Sequence, residues 1–289
     1  MMENMSLTTT ATIASFGGKL LKIKHEASST GCEMALNLYL PPDANTTNKA
    51  PLLIFLSGLT CTGDNCAEKG FLQCAASEKG IAVLYPDTSP RGLHLKGEDD
   101  AYDFGTGASF YVDATVPPWS NNYKMESYIT TELPKLLFAV FSELDPSRIS
   151  ITGHSMGGHG ALTIFLRNPG MYKSVSALAP ICNPINCSWG EKAFTGYLGL
   201  DRESWKEHDA TELVRRWVGP FNCLIDIGTN DSFYKQKLLL PESFSEAARK
   251  SSNDKGLVLR YQEGYDHSYY FVASFAKDHV YHAAKFLFA

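Results

Sequence analysis

The chain lacks most of the features that would send a protein to a membrane, a nucleic acid or an oxidising compartment. No apolar run approaches the roughly 18 residues that suggest a membrane span. Residues 1–19 carry neither a basic start nor an apolar core, so no secretory signal is visible and this stretch reads as a flexible N-terminal tail. No long Lys/Arg run occurs, and a net charge of -5 with a pI near 5.9 argues against nucleic acid or an anionic membrane as a partner. The seven cysteines are odd in number and scattered, which argues against a complete disulfide framework. Without a secretory signal, the Asn-x-Ser/Thr sequences at Asn4, Asn45, Asn186 and Asn230 are read as chance. The expected setting is reducing and cytoplasmic. No internal repeat or linker divides the chain, so residues 20–289 are expected to form a single domain.

A chain of 289 residues can bury about three quarters of its unfolded surface. Its hydrophobic content of 44% and charged content of 20% are those of a soluble globular protein. Alternating patterns at Leu20–His25 and Glu33–Leu40 predict an antiparallel pair of strands, after a loose, Thr-rich tail over residues 1–15. Pro51–Leu56 is a continuous apolar run, as in a strand buried on both faces. A helix is expected over Asn65–Lys79, a strand over Ile81–Tyr85, and a long helix over Met125–Leu144, interrupted only by Pro134. Between them, residues 86–123 form the longest irregular stretch, and a loop of that size is usually functional or hides small elements. Strands are further expected at Arg148–Thr152, Ser174–Leu178, Cys223 onwards and Leu257–Gln262. Residues 181–222 read as a helical excursion, and helices are expected over Pro241–Lys250 and Ser268–Phe288. Strands alternating with helices imply an α/β fold, with a mostly parallel central sheet and helices on both faces.

One stretch organises the chemistry. Arg148–Ala161 reads strand, sharp turn, helix, and Gly153, Gly157 and Gly158 crowd around Ser155 in a G-x-S-x-G pattern. The pattern is that of a nucleophile elbow, in which a strained serine stands at the tip of a sheet beside a helix N-terminus. The bland alternative is a Gly-rich turn with a capping serine. A serine hydroxyl needs an adjacent base that is itself oriented by a third group. In an α/β-hydrolase sheet those partners come later in the chain, acid first and histidine last.

Of the eight histidines, His208, His267, His279 and His282 lie well downstream. His279 and His282 fall inside the closing helix and His208 in the excursion, which leaves His267 in Gly264–Tyr270 as the base. His154 and His159 flank Ser155 in sequence, but the turn is expected to aim them elsewhere. Asp231 ends the strand Cys223-Leu-Ile-Asp-Ile-Gly and is the expected acid; Asp226 lies within the strand and Asp266 adjoins His267. A turn or N-cap role is the common alternative for such an Asp. The oxyanion hole is expected from the backbone N–H of Met156, after the nucleophile, and of Leu59 in the loop Ser57-Gly-Leu-Thr60.

Together with these residues, Ser57–Thr62, Pro86–Gly92, Gly97–Asp100, Asp103–Gly107, Gly153–Gly160, Asn183–Gly190 and Phe194–Gly199 make the chain resemble the S-formylglutathione hydrolase (esterase D) family from about residue 20 onward. The resemblance implies hydrolysis of S-formylglutathione to glutathione and formate, in glutathione-dependent formaldehyde detoxification. It supports Ser155, Asp231 and His267 as triad and Leu59 and Met156 as oxyanion donors. It also implies a cytosolic enzyme, often a homodimer, with no cofactor and no metal. A cysteine is found at the place of Cys61 in that family, where thiol modification hinders activity. Cys61 is therefore expected to be a substrate-proximal, non-catalytic thiol, or else an inert buried one. Trp189 is expected to line the substrate groove or to be core. Arg91, His94 and Lys96 either meet the carboxylates of glutathione or form a solvated basic cluster. Cys61 with Cys66, or Cys182 with Cys187, lack the grouped histidines of a metal site. A short-chain carboxylesterase, an acyltransferase and a binding protein on this fold are the remaining readings.

Overall fold

Ala50–Leu56, apolar along its whole length, becomes the central strand β4 of a nine-stranded sheet in the computed structural model, which describes residues 6–289. The strands, named here in chain order, are β1 Thr8–Ser15, β2 Gly18–Ala27, β3 Cys32–Leu40, β4, β5 Ala82–Pro86, β6 Leu144–His154, β7 Val175–Leu178, β8 Cys223–Gly228 and β9 Leu257–Gln262. Their order across the sheet is β1-β2-β3-β5-β4-β6-β7-β8-β9. β1, β2, β3 and β5 pair antiparallel, and every pair from β5 to β9 is parallel. Parallel strands need helical crossovers, and these cover the apolar strands on both sides. The closing helix Tyr269–Leu287 packs with Leu72–Lys79 on one face, and Met156–Arg167 packs with Ala210–Val214 on the other. β4, β6, β8 and β9 all point the same way. The turns that follow them, carrying Leu59, Ser155, Asp231 and His267, therefore emerge at one edge, where ligands of open α/β sheets bind.

Three expectations need correction. The tail does not stay loose: from Thr8 it is β1, joined to β2 through the two-residue turn Phe16–Gly17, both at positive φ. That is the twist-matched geometry of a tight hairpin. β1 is exposed along most of its length, so no burial alternation marked it; residues 1–5 of the expected tail lie outside the described residues. The helix expected over Asn65–Lys79 is two, Gly63–Lys69 and Leu72–Lys79, because Phe71 takes the left-handed conformation (φ 57°) and breaks the run. The helix from Met125 ends at Val140, and β6 already begins at Leu144. Before Pro134 its turns widen to a π-helix over Tyr128–Glu132, a rare single-turn bulge within a helix.

The irregular stretch 86–123 is held by polar anchors. Arg91 donates twice to Asp87 (2.9 and 2.8 Å), Ser109 Oγ donates to the Thr88 carbonyl (2.6 Å), and Tyr197 OH to the Ala108 carbonyl (2.8 Å). Phe110 and Tyr111 are buried, so this loop is part of the core that backs the site.

Candidate active site

The elbow owes its shape to close approach. Ser155 sits at φ 59°, ψ -119°, a strained conformation for a residue with a side chain, and is buried at 3% exposure. It is held there by N–H donation to the Leu178 carbonyl (2.9 Å), while its own carbonyl accepts from His159 N–H (3.0 Å). A Cβ on Gly157 would lie 2.0 Å from the Leu56 carbonyl oxygen, so no larger residue fits where β4 meets the new helix. A Cβ on Gly58 would lie 3.1 Å from Ser155 Cβ, which sets the loop after β4 directly against the serine.

That loop is tied from behind. Tyr111 OH donates to the Ser57 carbonyl (2.9 Å) and Thr60 N–H to the Gly107 carbonyl (2.8 Å). Cys61 N–H donates to the Gly58 carbonyl (3.3 Å), whereas no acceptor among the described residues takes the N–H of Leu59. Met156 is the first residue of its helix, so its N–H has no preceding helical carbonyl to bond. Two unengaged N–H groups thus flank the Ser155–Gly58 contact, as anion stabilisation requires.

His267 Nδ1 lies 2.5 Å from Asp231 Oδ2. Asp231 is fully buried and divides its two oxygens: Oδ1 accepts from the N–H groups of Phe233 (2.7 Å) and Tyr234 (3.3 Å). The cap role and the histidine contact, alternatives on paper, coexist on separate atoms. The Phe233 ring meets His267 edge-on at 4.8 Å, and Trp189 packs against Phe233, also at 4.8 Å. Trp189 is therefore buried and one ring removed from His267, with its Nε1 donating to Tyr102 OH (3.4 Å).

The other candidates separate from the site. Asp226 is locked within the sheet by Arg260 (2.7 and 2.6 Å), Gln262 (2.8 Å) and His279 (2.9 Å). Asp266 accepts from Ser268, and His282 contacts the Asn222 carbonyl at 3.2 Å. Burial lowers His208 to about 3 and His159 to about 4; His159 also faces the Phe110 carbonyl at 3.2 Å. Burial raises the Cys61 thiol, only partly offset by the facing Tyr269 hydroxyl, so Cys61 is not poised as a thiolate. Arg91 is engaged with Asp87 and the Cys61 carbonyl (3.1 Å), which makes it a brace of the loop. Among the described residues no group of three or more His, Cys, Asp or Glu side chains is arranged to hold a metal, and all seven cysteines are free thiols.

Sequence reasoning missed two neighbours of His267. Phe233 lies two residues beyond the acid, a spacing that could have suggested it. His154, expected to point away, instead lies with its ring 4.6 Å from that of His267. Adjacent sequence positions gave no sign of that contact, because it depends on how the last loop folds over β6.

A mostly parallel sheet, with a strained serine and a buried Asp–His contact at the same edge, defines an α/β-hydrolase. The Esterase family model matches residues 27–282. S-formylglutathione hydrolase of Rattus norvegicus is 54% identical over 273 residues, 94% of this chain and 95% of that protein. The enzyme of the same name from Arabidopsis thaliana is 53% identical, again over 94% of this chain and 95% of its own. A solved S-formylglutathione hydrolase from Agrobacterium tumefaciens superposes with a TM-score of 0.92 at 45% identity, covering 96% of this chain and 99% of that one. The chain belongs to the S-formylglutathione hydrolase family of esterases.

Proposed function

We propose that the protein hydrolyses S-formylglutathione to glutathione and formate through a formyl-enzyme on Ser155. The observation that carries this reading is the 2.5 Å contact between His267 Nδ1 and buried Asp231, at the sheet edge that presents Ser155. Asp231 holds the proton on Nδ1, which leaves Nε2 free to accept the Ser155 proton. Ser155 Oγ attacks the thioester carbonyl carbon, and the oxyanion meets the N–H groups of Leu59 and Met156. Collapse breaks the C–S bond, and His267 returns its proton to the departing sulfur to give glutathione. Water, deprotonated by His267, then attacks the formyl ester; the second oxyanion collapses to release formate and restore the Ser155 hydroxyl. Cys61 stands in the loop after β4 without taking part, and Trp189 backs the Phe233 ring that meets His267.

Ser155→Ala should fold as the parent does and lose at least about 10³-fold in turnover of S-formylglutathione. Substantial residual hydrolysis in a clean preparation rejects the assignment. Acetyl thioester and longer aryl esters assayed beside the formyl thioester separate this reading from a general carboxylesterase. Action in a reducing cytoplasm and as a homodimer belongs to the same proposal. The free thiols support the first, and sedimentation of the purified protein tests the second.

A further inference from the structure

No step above uses His154. It ends β6 one residue before the serine and is 5% exposed, and among the described residues neither ring nitrogen makes a hydrogen bond of ordinary geometry, only the His267 carbonyl exerting a weak pull on the ring. Buried polar groups are ordinarily well hydrogen-bonded, so an imidazole at this position calls for a reason. Its surroundings supply one. The ring lies 4.6 Å from that of His267, tilted by 41°, and 5.7 Å from that of Tyr269. His267 is thus met from two separate parts of the chain: Asp231 at Nδ1 and Phe233 edge-on at 4.8 Å, both from the turn after β8, and His154 from the end of β6.

We propose that His154 is a positioning residue: a flat wall that holds the His267 ring in line between Asp231 and Ser155. The inference rests on the reading of His267 as the general base. The titratable groups that face His154 are His267 and Tyr269; those about His267 are Asp231, His154 and the adjoining Asp266, with the apolar Phe233 ring edge-on. Burial first, and the neighbouring His267 second, hold the His154 imidazole well below the usual histidine range, against a smaller opposing pull from the His267 carbonyl. At neutral pH the wall therefore carries no charge and does not repel the imidazolium that His267 becomes as it takes the serine proton. Cutting the ring away opens space beside His267, and displacement of a reacting group by about 1 Å costs on the order of 10²-fold in rate.

The test compares His154→Ala and His154→Phe with the parent. It reads kcat and KM for S-formylglutathione, the melting temperature, and the low-field proton resonance of the Asp231–His267 hydrogen bond. The proposal expects His154→Ala to lose about 10- to 100-fold in kcat with KM within about twofold, and to weaken or lose the resonance. His154→Phe, which keeps the flat face, should recover kcat to within about threefold of the parent and keep the resonance. An alanine protein with unchanged kcat overturns the proposal, and so does a phenylalanine protein as slow as the alanine one. Should the alanine protein not fold, His154→Leu, which fills the volume without a flat face, takes its place under the same criteria. His267→Ala run alongside separates the two levels: if it retains turnover, the reading of the site fails and not merely the role of His154.

Discussion

Replacing Asp231 with asparagine changes one group and leaves the outline of the site intact, so its effect can be worked from the hydrogen bonds. Oδ1 of Asp231 accepts from the N–H groups of Phe233 and Tyr234 at 2.7 and 3.3 Å, and Oδ2 faces His267 Nδ1 at 2.5 Å. An asparagine must keep its carbonyl oxygen on the two backbone donors, because turning its NH2 towards them would set donor against donor. Its NH2 then faces His267, whose Nδ1 becomes the acceptor, and the ring proton moves to Nε2. The imidazole thereby offers Ser155 a donor where the reaction needs a base. A tautomer reversal of this kind lowers kcat by about 10⁴-fold, equivalent to about 5 kcal/mol of transition-state stabilisation. The cap survives, so the stability change should stay well under the roughly 1 kcal/mol that loss of a cap costs. Steady-state turnover of S-formylglutathione and urea unfolding of the same preparation measure the two quantities. A variant within tenfold of the parent in kcat refutes Asp231 as the orienting acid. One that loses activity only in proportion to lost folding refutes the separation of its two oxygens.

Two further outcomes follow from packing and charge. Gly157→Ala brings a methyl to 2.0 Å from the Leu56 carbonyl oxygen, a backbone atom that cannot yield without moving β4, so unfolding free energy should fall by about 3 kcal/mol or more in urea titration and turnover should be lost. The third concerns Asp226, where burial alone would raise the carboxyl. Hydrogen bonds from His279 and Arg260 overcome it and hold the group well below its ordinary value. A carboxyl depressed in the folded state binds protons more readily when unfolded, so its contribution is complete above about pH 4 and is lost as pH falls below that. Asp226→Asn should therefore cost about 3 kcal/mol at neutral pH and flatten the acid side of the stability curve below pH 4. Equal slopes for parent and variant in acid would count against the ion-paired state.

Most of the sheet was legible because burial writes itself into composition. β4, β5, β7 and β8 are buried on both faces and read as short apolar runs, and the glycines of the elbow mark backbone contacts that no side chain can enter. β1 was not legible because its stability comes from backbone pairing with β2, on a strand that stays largely exposed. The break at Phe71 was hidden for a different reason: a left-handed non-glycine residue carries no composition signal, and the flanking segments both favour helix. Arg91 shows the same gap at the site, since a basic residue near a groove looks available until its partners, Asp87 and the Cys61 carbonyl, are seen.

Chain order could bring the turns of Ser155, His267 and Asp231 to one edge, because strand sequence in a parallel sheet determines which turns share an edge. It could not say what keeps them in register once there. That task falls to contacts between segments far apart in the chain. Tyr111, from the irregular stretch, holds the Ser57 carbonyl at 2.9 Å and so braces the loop that carries Leu59. Arg260 and Gln262 of β9 and His279 of the closing helix converge on Asp226 of β8. The acid turn leaves β8, and the histidine loop joins β9 to that helix, so this buried carboxylate ties together every element that carries the Asp231–His267 contact. On the proposed mechanism His267 must return to the same place for two proton transfers in each cycle, and that needs such bracing. A carboxylate inside the otherwise apolar β8 is consistent with that need.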